Sequence, residues 1–148
     1  MSVQLFHIGI KALCKNQEGK YLVLEVNPAH FRVKQDSHWD IPGGRIEEGE
    51  SVDSTLRREV KEELGIDISS KPEFFTAVVS NIKIPHGDKD EVGLALMVYT
   101  VVLPMDAKIV ISEENLRYEW VEPSVAAERL AFKYPKEFTE KLDIDPKT

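Results

Sequence analysis

The chain has 148 residues, of which 42% are hydrophobic and 30% are charged, so it is long enough to bury a core and is predicted to form one soluble domain over residues 1–148. The formal net charge of −7 argues against polymeric nucleic acid or a membrane surface as a partner, since either needs a basic face. Cys14 is the only cysteine, which excludes an intrachain disulfide and a cysteine-rich zinc site. There is no secretory pattern and no apolar run approaching ~20 residues, so we expect a cytoplasmic protein.

The N-terminal part of the chain is predicted to form a β-hairpin followed by a polar loop. Apolar and polar residues alternate over residues 3–14, which is typical of a strand with one buried face. A turn at residues 16–19 leads into a return strand at residues 21–26. Residues 27–38 are predicted to be a polar loop, and residues 39–44 an extended segment that ends in a tight turn.

An amphipathic helix is predicted over residues 51–64. Its buried stripe is supplied by apolar residues at four-residue intervals, which are Val52, Leu56, Val60 and Leu64. Ser51 is a favourable N-cap residue. Gly65 is well placed as the C-terminal cap, because glycine adopts the left-handed conformation that this position favours.

The C-terminal half is predicted to contain three strands and two helices. The strands are placed at residues 73–84, 91–103 and 119–121, with a turn at residues 85–88 between the first two. The helices are placed at residues 123–132 and 135–142. The second of these strands is apolar on both faces, which predicts a central position in its sheet.

The densest run of chemically informative residues lies at positions 44–66. Within the predicted helix, Glu59, Glu62 and Glu63 stand at i, i+3 and i+4, so their carboxylates share one face. Like charges this close together cost free energy unless a cation lies between them. Because the ligands are hard oxygen atoms, magnesium or manganese suits such a site better than zinc does.

A mixture of acidic and basic residues on a helix most often forms only a solvent-exposed face, so the glutamates alone do not establish a metal site. The full spacing is more specific: Gly44, five residues, Glu50, seven residues, then Arg58-Glu59-Val60-x-Glu62-Glu63-x-Gly65-Ile66. A chance match in a chain of this length has a probability on the order of 1 in 10⁷. The pattern matches every position of the Nudix hydrolase signature, and the strand-rich flanks also fit, so the chain resembles that family over most of its length.

The resemblance implies an α+β fold of the α/β/α sandwich type, in which helices enclose a mixed β-sheet and the motif forms a loop-helix-loop. It implies hydrolysis of a diphosphate linkage attached to another group, usually a nucleoside, with Mg²⁺ as the cofactor or Mn²⁺ in its place. Carried over by position, the metal ligands are the carboxylates of Glu59, Glu62 and Glu63 and the main-chain carbonyl of Gly43. By the same resemblance, Glu50 and Arg58 brace the loop and the helix. Gly44 and Gly65 allow backbone conformations that other residues do not readily adopt.

The identity of the general base stays open among three carboxylates. Glu59 and Glu62 lie in the signature, whereas Glu114 lies six residues before Trp120. The stretch around Glu114 resembles the tail of two subgroups, the dihydroneopterin triphosphate pyrophosphatases and the diadenosine tetraphosphate hydrolases, in which the corresponding glutamate approaches the metal site. The alternative is that Glu113 and Glu114 form an ordinary solvated pair in a loop.

Substrate-binding residues are predicted in the polar loop before the signature, where Arg32 and Lys34 are placed to meet phosphates, although a merely solvated loop is the alternative. We expect a small nucleotide-type substrate, a nucleoside triphosphate or dihydroneopterin triphosphate, that is split into pyrophosphate and a monophosphate. The second hypothesis is a dinucleoside polyphosphate hydrolase, acting on a compound such as diadenosine tetraphosphate and releasing two nucleotides. The third is a non-catalytic Nudix-fold nucleotide sensor, against which the complete glutamate cluster argues.

Overall fold

The computed structural model describes residues 3–30, 38–87 and 91–144, which fold into a mixed β-sheet with helices on both faces. The strands are β1 (Phe6–Lys15), β2 (Tyr21–Val26), β3 (Trp39–Asp40), β4 (Gly43–Arg45), β5 (Glu73–Val79), β6 (Ile84–Pro85), β7 (Glu91–Val102) and β8 (Asn115–Val121). The helices are α1 (Val52–Leu64), α2 (Pro123–Leu130) and α3 (Lys136–Asp143), and a short 3₁₀ helix covers Pro28–His30. The predicted α+β sandwich is therefore confirmed, with α1 as the helix of the loop-helix-loop.

The centre of the sheet is the parallel pair β1 and β7, which stay in register from Phe6↔Gly93 to Lys15↔Val102. Strand β5 pairs antiparallel with the other edge of β7, so β7 has a neighbour on each side. This confirms the central position that its two apolar faces predict. The main strand order is β3-β2-β1-β7-β5, with β8 beside β2 and the short strands β4 and β6 beside β1 and β7.

Strands β1 and β2 form the predicted hairpin but separate beyond its turn. They are paired at Lys15↔Tyr21. Farther from the turn, β1 pairs with β4 and β2 pairs with β3. The segment 39–45, which contains β3 and β4, therefore lies between the two long strands, and the candidate site lies along this segment.

The two faces of the sheet bury separate apolar clusters. On one face, residues of β1 and β2 pack against α1, and the cluster includes Ile10, Ala12, Cys14, Leu22, Leu24, Leu56, Val60 and Leu64. On the other face, the intervening strand residues pack against α2 and α3, and the cluster includes Leu13, Tyr21, Val23, Ala126, Leu130, Phe138 and Leu142. Because side chains alternate along a strand, one strand sequence supplies both helix layers. Cys14 is fully buried, as predicted, and burial raises the pKa of its thiol to about 12.

Helix α1 begins and ends where the sequence predicts. Ser51 is the N-cap: its Oγ accepts a hydrogen bond from the Ser54 N–H at 3.0 Å, and Ser54 Oγ accepts one from the Ser51 N–H at 3.0 Å. Gly65 is the C-cap with a φ of 71°, and its N–H donates to the Lys61 carbonyl at 2.9 Å. The signature helix is therefore held at both ends by specific caps.

The strand predicted at residues 73–84 is wrong in its second half, because β5 ends at Val79 and β6 is a separate short strand. The Ser80 N–H still donates to the Leu94 carbonyl of β7 at 2.8 Å, but from this point the chain bonds to the connection between α2 and α3. Ser80 Oγ and the Asn81 N–H both donate to the Lys133 carbonyl, at 2.7 and 2.9 Å. The predicted turn at 85–88 is wrong at its first residue, because Pro85 belongs to β6; position 88 lies outside the described residues.

Two boundaries near the C-terminus also differ from the prediction. Strand β8 begins at Asn115 rather than at position 119, since its first residues pair along β2 although their side chains are largely exposed. Helix α2 ends at Leu130 rather than at position 132. Just after its end, the Asn81 side-chain amide donates to the Ala131 carbonyl at 3.1 Å. Across the described ranges, no helix combines the length and hydropathy needed to cross a bilayer.

Candidate active site

Two cavities adjoin along the segment that contains β4. The carboxylate cavity, about 870 Å³ in volume, has among its lining residues Arg58, Glu59, Glu62 and Glu114. The lysine cavity, about 530 Å³ in volume, has among its lining residues Lys11, Asp40, Glu63 and Lys133. The residues that line both are Gly43, Gly44, Arg45 and Glu114. A ligand that extends past this shared edge therefore contacts both spaces.

Arg58 ties the signature residues together. Its Nε and Nη2 donate to the two carboxylate oxygens of Glu50, at 2.7 and 2.9 Å, in a bidentate pair. Its Nη1 donates to Glu59 Oε1 at 2.8 Å and lies 3.4 Å from Glu62 Oε2. Hydrogen bonding from Arg58 is the largest of the effects that lower the pKa of Glu50 to about 2. The guanidinium therefore holds Glu59 in place, and Glu50 holds the guanidinium.

The main chain approaches α1 closely at Gly43 and Gly44. Gly43 has a φ of 149°, which favours glycine, and a methyl group there would collide with the Ile10 carbonyl. A methyl group on Gly44 would collide with the carboxylate of Glu59. Burial raises the pKa of Glu59, while the charge of Arg58 opposes this effect. The two glycines thus form a backbone cradle directly against a partly buried carboxylate.

Glu63 lies apart from the other two signature glutamates. Its Oε2 accepts a 2.6 Å hydrogen bond from the Gly43 N–H, and the side chain lines the lysine cavity. Burial raises the pKa of Glu63 to about 7, although the Lys11 ammonium and the bond from Gly43 act in the opposite direction. In residues 3–30, 38–87 and 91–144, no three acidic, histidine or cysteine side chains are gathered to hold a metal ion. The structure brings Glu59 and Glu62 together at one cavity and places Glu63 at the other.

A buried cluster around Asp40 lines the lysine cavity. Asp40 Oδ2 accepts hydrogen bonds from Lys133 Nζ at 2.6 Å and Lys11 Nζ at 3.3 Å. Its Oδ1 accepts from the Tyr134 hydroxyl at 2.6 Å and from the Ile41 N–H at 2.8 Å. Burial raises the pKa of Asp40, but the ammonium groups of Lys11 and Lys133 outweigh burial and hold that pKa well below its usual range. The carboxylate is therefore ionised and fully hydrogen-bonded.

Sequence reasoning missed this cluster as part of the site. Lys11 stands at a polar position in the alternation of β1, so the pattern does not indicate that its side chain is buried. Asp40 and Lys133 stand 93 positions apart, in segments too short to carry a periodic pattern. Only the folded chain brings them together, because Lys133, in the connection between α2 and α3, reaches Asp40 in β3.

The NUDIX domain model matches residues 5–142 of this chain. The chain belongs to this family and is a Nudix hydrolase. The nucleoside triphosphatase NudI of Escherichia coli strain K12 is 30% identical over 109 residues, which cover 72% of this chain and 75% of the relative. The MutT protein of Methanosarcina mazei Go1 has a similar structure over 100% of both chains, with a TM-score of 0.75 and 26% identity. The E. coli dihydroneopterin triphosphate pyrophosphohydrolase shares the fold, with a TM-score of 0.67 at 21% identity over 95% of each chain.

The oxygen donors of this Nudix hydrolase fit the divalent metal ions, such as Mg²⁺, that its family generally uses. The carboxylates of Glu59, Glu62 and Glu114 line one cavity together with the main chain at Gly43. Hard, anionic oxygen donors of this kind suit Mg²⁺ or Mn²⁺. Because Gly44 has no side chain, the Glu59 carboxylate can lie directly against the main chain at this position.

Three further residues were predicted for the Nudix site. Arg32 and Lys34 lie outside the described residues, whereas Glu114 is described. Glu114 is exposed at the shared edge of the two cavities, and its carbonyl accepts a 2.8 Å hydrogen bond from the Asn27 N–H, which ties this segment to the end of β2. Arg45, which sequence reasoning did not single out, lines both cavities one residue after the glycine cradle.

Proposed function

We propose that this Nudix hydrolase uses Mg²⁺ to hydrolyse a diphosphate linkage in a nucleoside triphosphate or a similar compound such as dihydroneopterin triphosphate, releasing pyrophosphate and a monophosphate. The observation that carries the proposal is the pair of adjoining cavities. The carboxylate cavity suits a metal-bound phosphate chain, and the lysine cavity, with its apolar walls, suits a ring. The similarity to nucleoside triphosphatase NudI supports the same substrate class.

We assign the metal ligands in this proposal to Glu59 and Glu62, with Glu63 and the Gly43 carbonyl as the remaining predicted donors. When bound, Mg²⁺ supplies charge neutralisation at the phosphates and lowers the pKa of water. Arg58 orients Glu59 and is itself oriented by Glu50. A carboxylate among Glu59, Glu62 and Glu114 accepts the proton of the water that attacks phosphorus.

Arg45 has a separate role in this proposal. It lines both cavities, so its guanidinium is placed to bind the phosphate chain where the chain passes from one cavity to the other.

Residues 1–148 act in the proposal as one domain, which the family match over residues 5–142 supports.

The decisive test is Glu62→Gln, measured in the presence of Mg²⁺ against a panel of nucleoside triphosphates, dihydroneopterin triphosphate and diadenosine tetraphosphate. We expect the variant to lose turnover by about two or more orders of magnitude while its circular dichroism spectrum stays unchanged. Product analysis separates pyrophosphate release from the alternative, diadenosine tetraphosphate cleavage into two nucleotides.

Glu140→Gln is the matched control, because its exposure and environment resemble those of Glu62. The side chain of Glu62 is 58% exposed in an i, i+4 pair with Arg58, and that of Glu140 is 62% exposed in an i, i+4 pair with Lys136. The control is expected to keep full activity. Undiminished turnover in Glu62→Gln would contradict the assigned site, and a wild-type enzyme that releases no pyrophosphate from any triphosphate would contradict the proposed reaction.

A further inference from the structure

The lysine cavity combines apolar walls with a charged end. Its apolar lining residues include Leu24, Val26, Ile84, Leu94 and Leu96. At the charged end, Lys11, Asp40 and Lys133 meet. A volume of about 530 Å³ is in the range of pockets that bury small organic molecules. The cavity is therefore suited to a flat ring with polar groups on one edge.

Asp40 has no capacity left for a ligand. Its two oxygens accept four hydrogen bonds, from Lys11, Lys133, Tyr134 and the Ile41 N–H. A carboxylate offers about four lone-pair sites, so these bonds satisfy it. Within this cluster the lysines, and not the carboxylate between them, are therefore the groups that can bond to a ligand. The other carboxylate of the cavity, Glu63, has its Oε2 bonded to the Gly43 N–H.

The two lysines present hydrogen-bond donors only. An ammonium group has three N–H donors and no acceptor. Over the part of the chain that the structure describes, the hydrogen bonds made by Lys11 Nζ and Lys133 Nζ are those to Asp40 Oδ2. The side chains are only 6% and 13% exposed, so bulk water reaches them poorly. Partly buried donors of this kind gain most from an acceptor on a ligand.

We propose that Lys133, with Lys11 beside it, recognises an exocyclic oxygen on the ring of the substrate, so that the enzyme favours oxo-bearing rings over amino-bearing rings. The inference rests on the proposed function and names the ring chemistry within it. Guanine and hypoxanthine rings present an oxygen beside the acceptor N7, and uracil and thymine rings present O4. Adenine and cytosine present an amino group at the same position, and its N–H donors would face the lysine donors.

The test uses two pairs of triphosphates that differ at this position. These are dITP against dATP, which differ at ring position 6, and dUTP against dCTP, which differ at ring position 4. We expect wild-type kcat/KM to favour the oxo member of each pair by about 10- to 100-fold. In Lys133→Met, which keeps the length of the side chain and removes its donors, both ratios should fall towards one, mainly through KM.

Lys136→Met is the matched control, because this lysine is 87% exposed on α3 and is expected to leave both ratios unchanged. Wild-type ratios near one, or ratios that survive in Lys133→Met, would overturn the inference. If circular dichroism shows that Lys133→Met does not fold, Lys11→Met is measured in its place. The wild-type ratios test the inference in either case.

Binding separates this inference from the proposed reaction. Each of the four triphosphates is titrated with Mg²⁺ into the Glu62→Gln protein, and the dissociation constants are compared within each pair. A preference for the oxo member supports the inference even where no pyrophosphate is released. Equal dissociation constants within both pairs refute it, whether or not the enzyme hydrolyses triphosphates.

Discussion

Replacing Asp40 with asparagine tests whether the buried cluster stabilises the fold through its charge. Asparagine keeps the shape of the side chain but has only one acceptor oxygen, and its NH₂ group is a donor. Four donors surround Asp40, so the new NH₂ group must face either the two lysines or the pair formed by Tyr134 and the Ile41 N–H. Either orientation leaves the ammonium groups of Lys11 and Lys133 without their counter-ion.

The expected loss in the free energy of unfolding at pH 7 is about 3–5 kcal/mol, the usual cost of removing one partner from a buried ion pair. This is a large part of the roughly 5–15 kcal/mol that stabilises a typical domain. Urea unfolding followed by circular dichroism measures the loss as a lower midpoint at an unchanged slope. Asp53→Asn is the control, because Asp53 is 63% exposed in its pair with Arg57 and should cost no more than about 1 kcal/mol. A loss below about 1 kcal/mol in Asp40→Asn would refute the reasoning.

The same substitution has a pH signature. Because the folded pKa of Asp40 is held below its unfolded value of about 3.9, the carboxylate contributes stability above that pH and loses the contribution as the pH falls towards the folded pKa. The difference in unfolding free energy between the wild type and Asp40→Asn should therefore be constant from about pH 5 to 7 and shrink below about pH 4. Parallel stability curves down to pH 2 would show that the charge of Asp40 is not the source of the effect.

Two further predictions concern glycines of the signature. Gly44→Ala should reduce turnover by about 100-fold with little change in the unfolding midpoint, because the added methyl group displaces the Glu59 carboxylate. A Mg²⁺-dependent activity assay measures this, and full activity would show that the position of Glu59 is unimportant. Gly65→Ala should lower the free energy of unfolding by about 1–2 kcal/mol, since its φ is 71° while the nearest side-chain contact, Val110 Cβ at 3.5 Å, is tolerable. Urea unfolding checks this, and Gly65→Asn should lose less because asparagine tolerates the left-handed region better.

The elements that were predictable from the sequence are those with a local pattern. The four-residue repeat of α1, with Ser51 before it and Gly65 after it, predicts that helix and both of its caps. The alternation in β1 places Ile10, Ala12 and Cys14 on one face, and these three are buried in the cluster that includes residues of α1. Strand β8 was largely missed because Leu116 and Tyr118 are exposed, so its first residues lack a buried face to produce alternation.

The site was predictable to the extent that its residues lie in one helix. The spacing of Arg58 predicts its pairing with Glu50 and Glu62, and both contacts are present. The same spacing places Glu63 on the face of Glu59, yet Glu63 accepts a hydrogen bond from the Gly43 N–H of β4, a contact across 20 positions that helical spacing does not predict. The cluster of Asp40 and Lys133 depends on contacts between distant segments, for which a single sequence holds no local signal.

The parallel pairing of β1 with β7 has a consequence for how this protein is made. The partners Phe6 and Gly93 lie at opposite ends of a long stretch of chain, and a loop of that length must close before the centre of the sheet can form. During synthesis β1 leaves the ribosome early and remains without its main neighbour until β7 follows. A chain interrupted before Glu91 would expose the edge of β1 to other chains, so interrupted products should aggregate rather than fold.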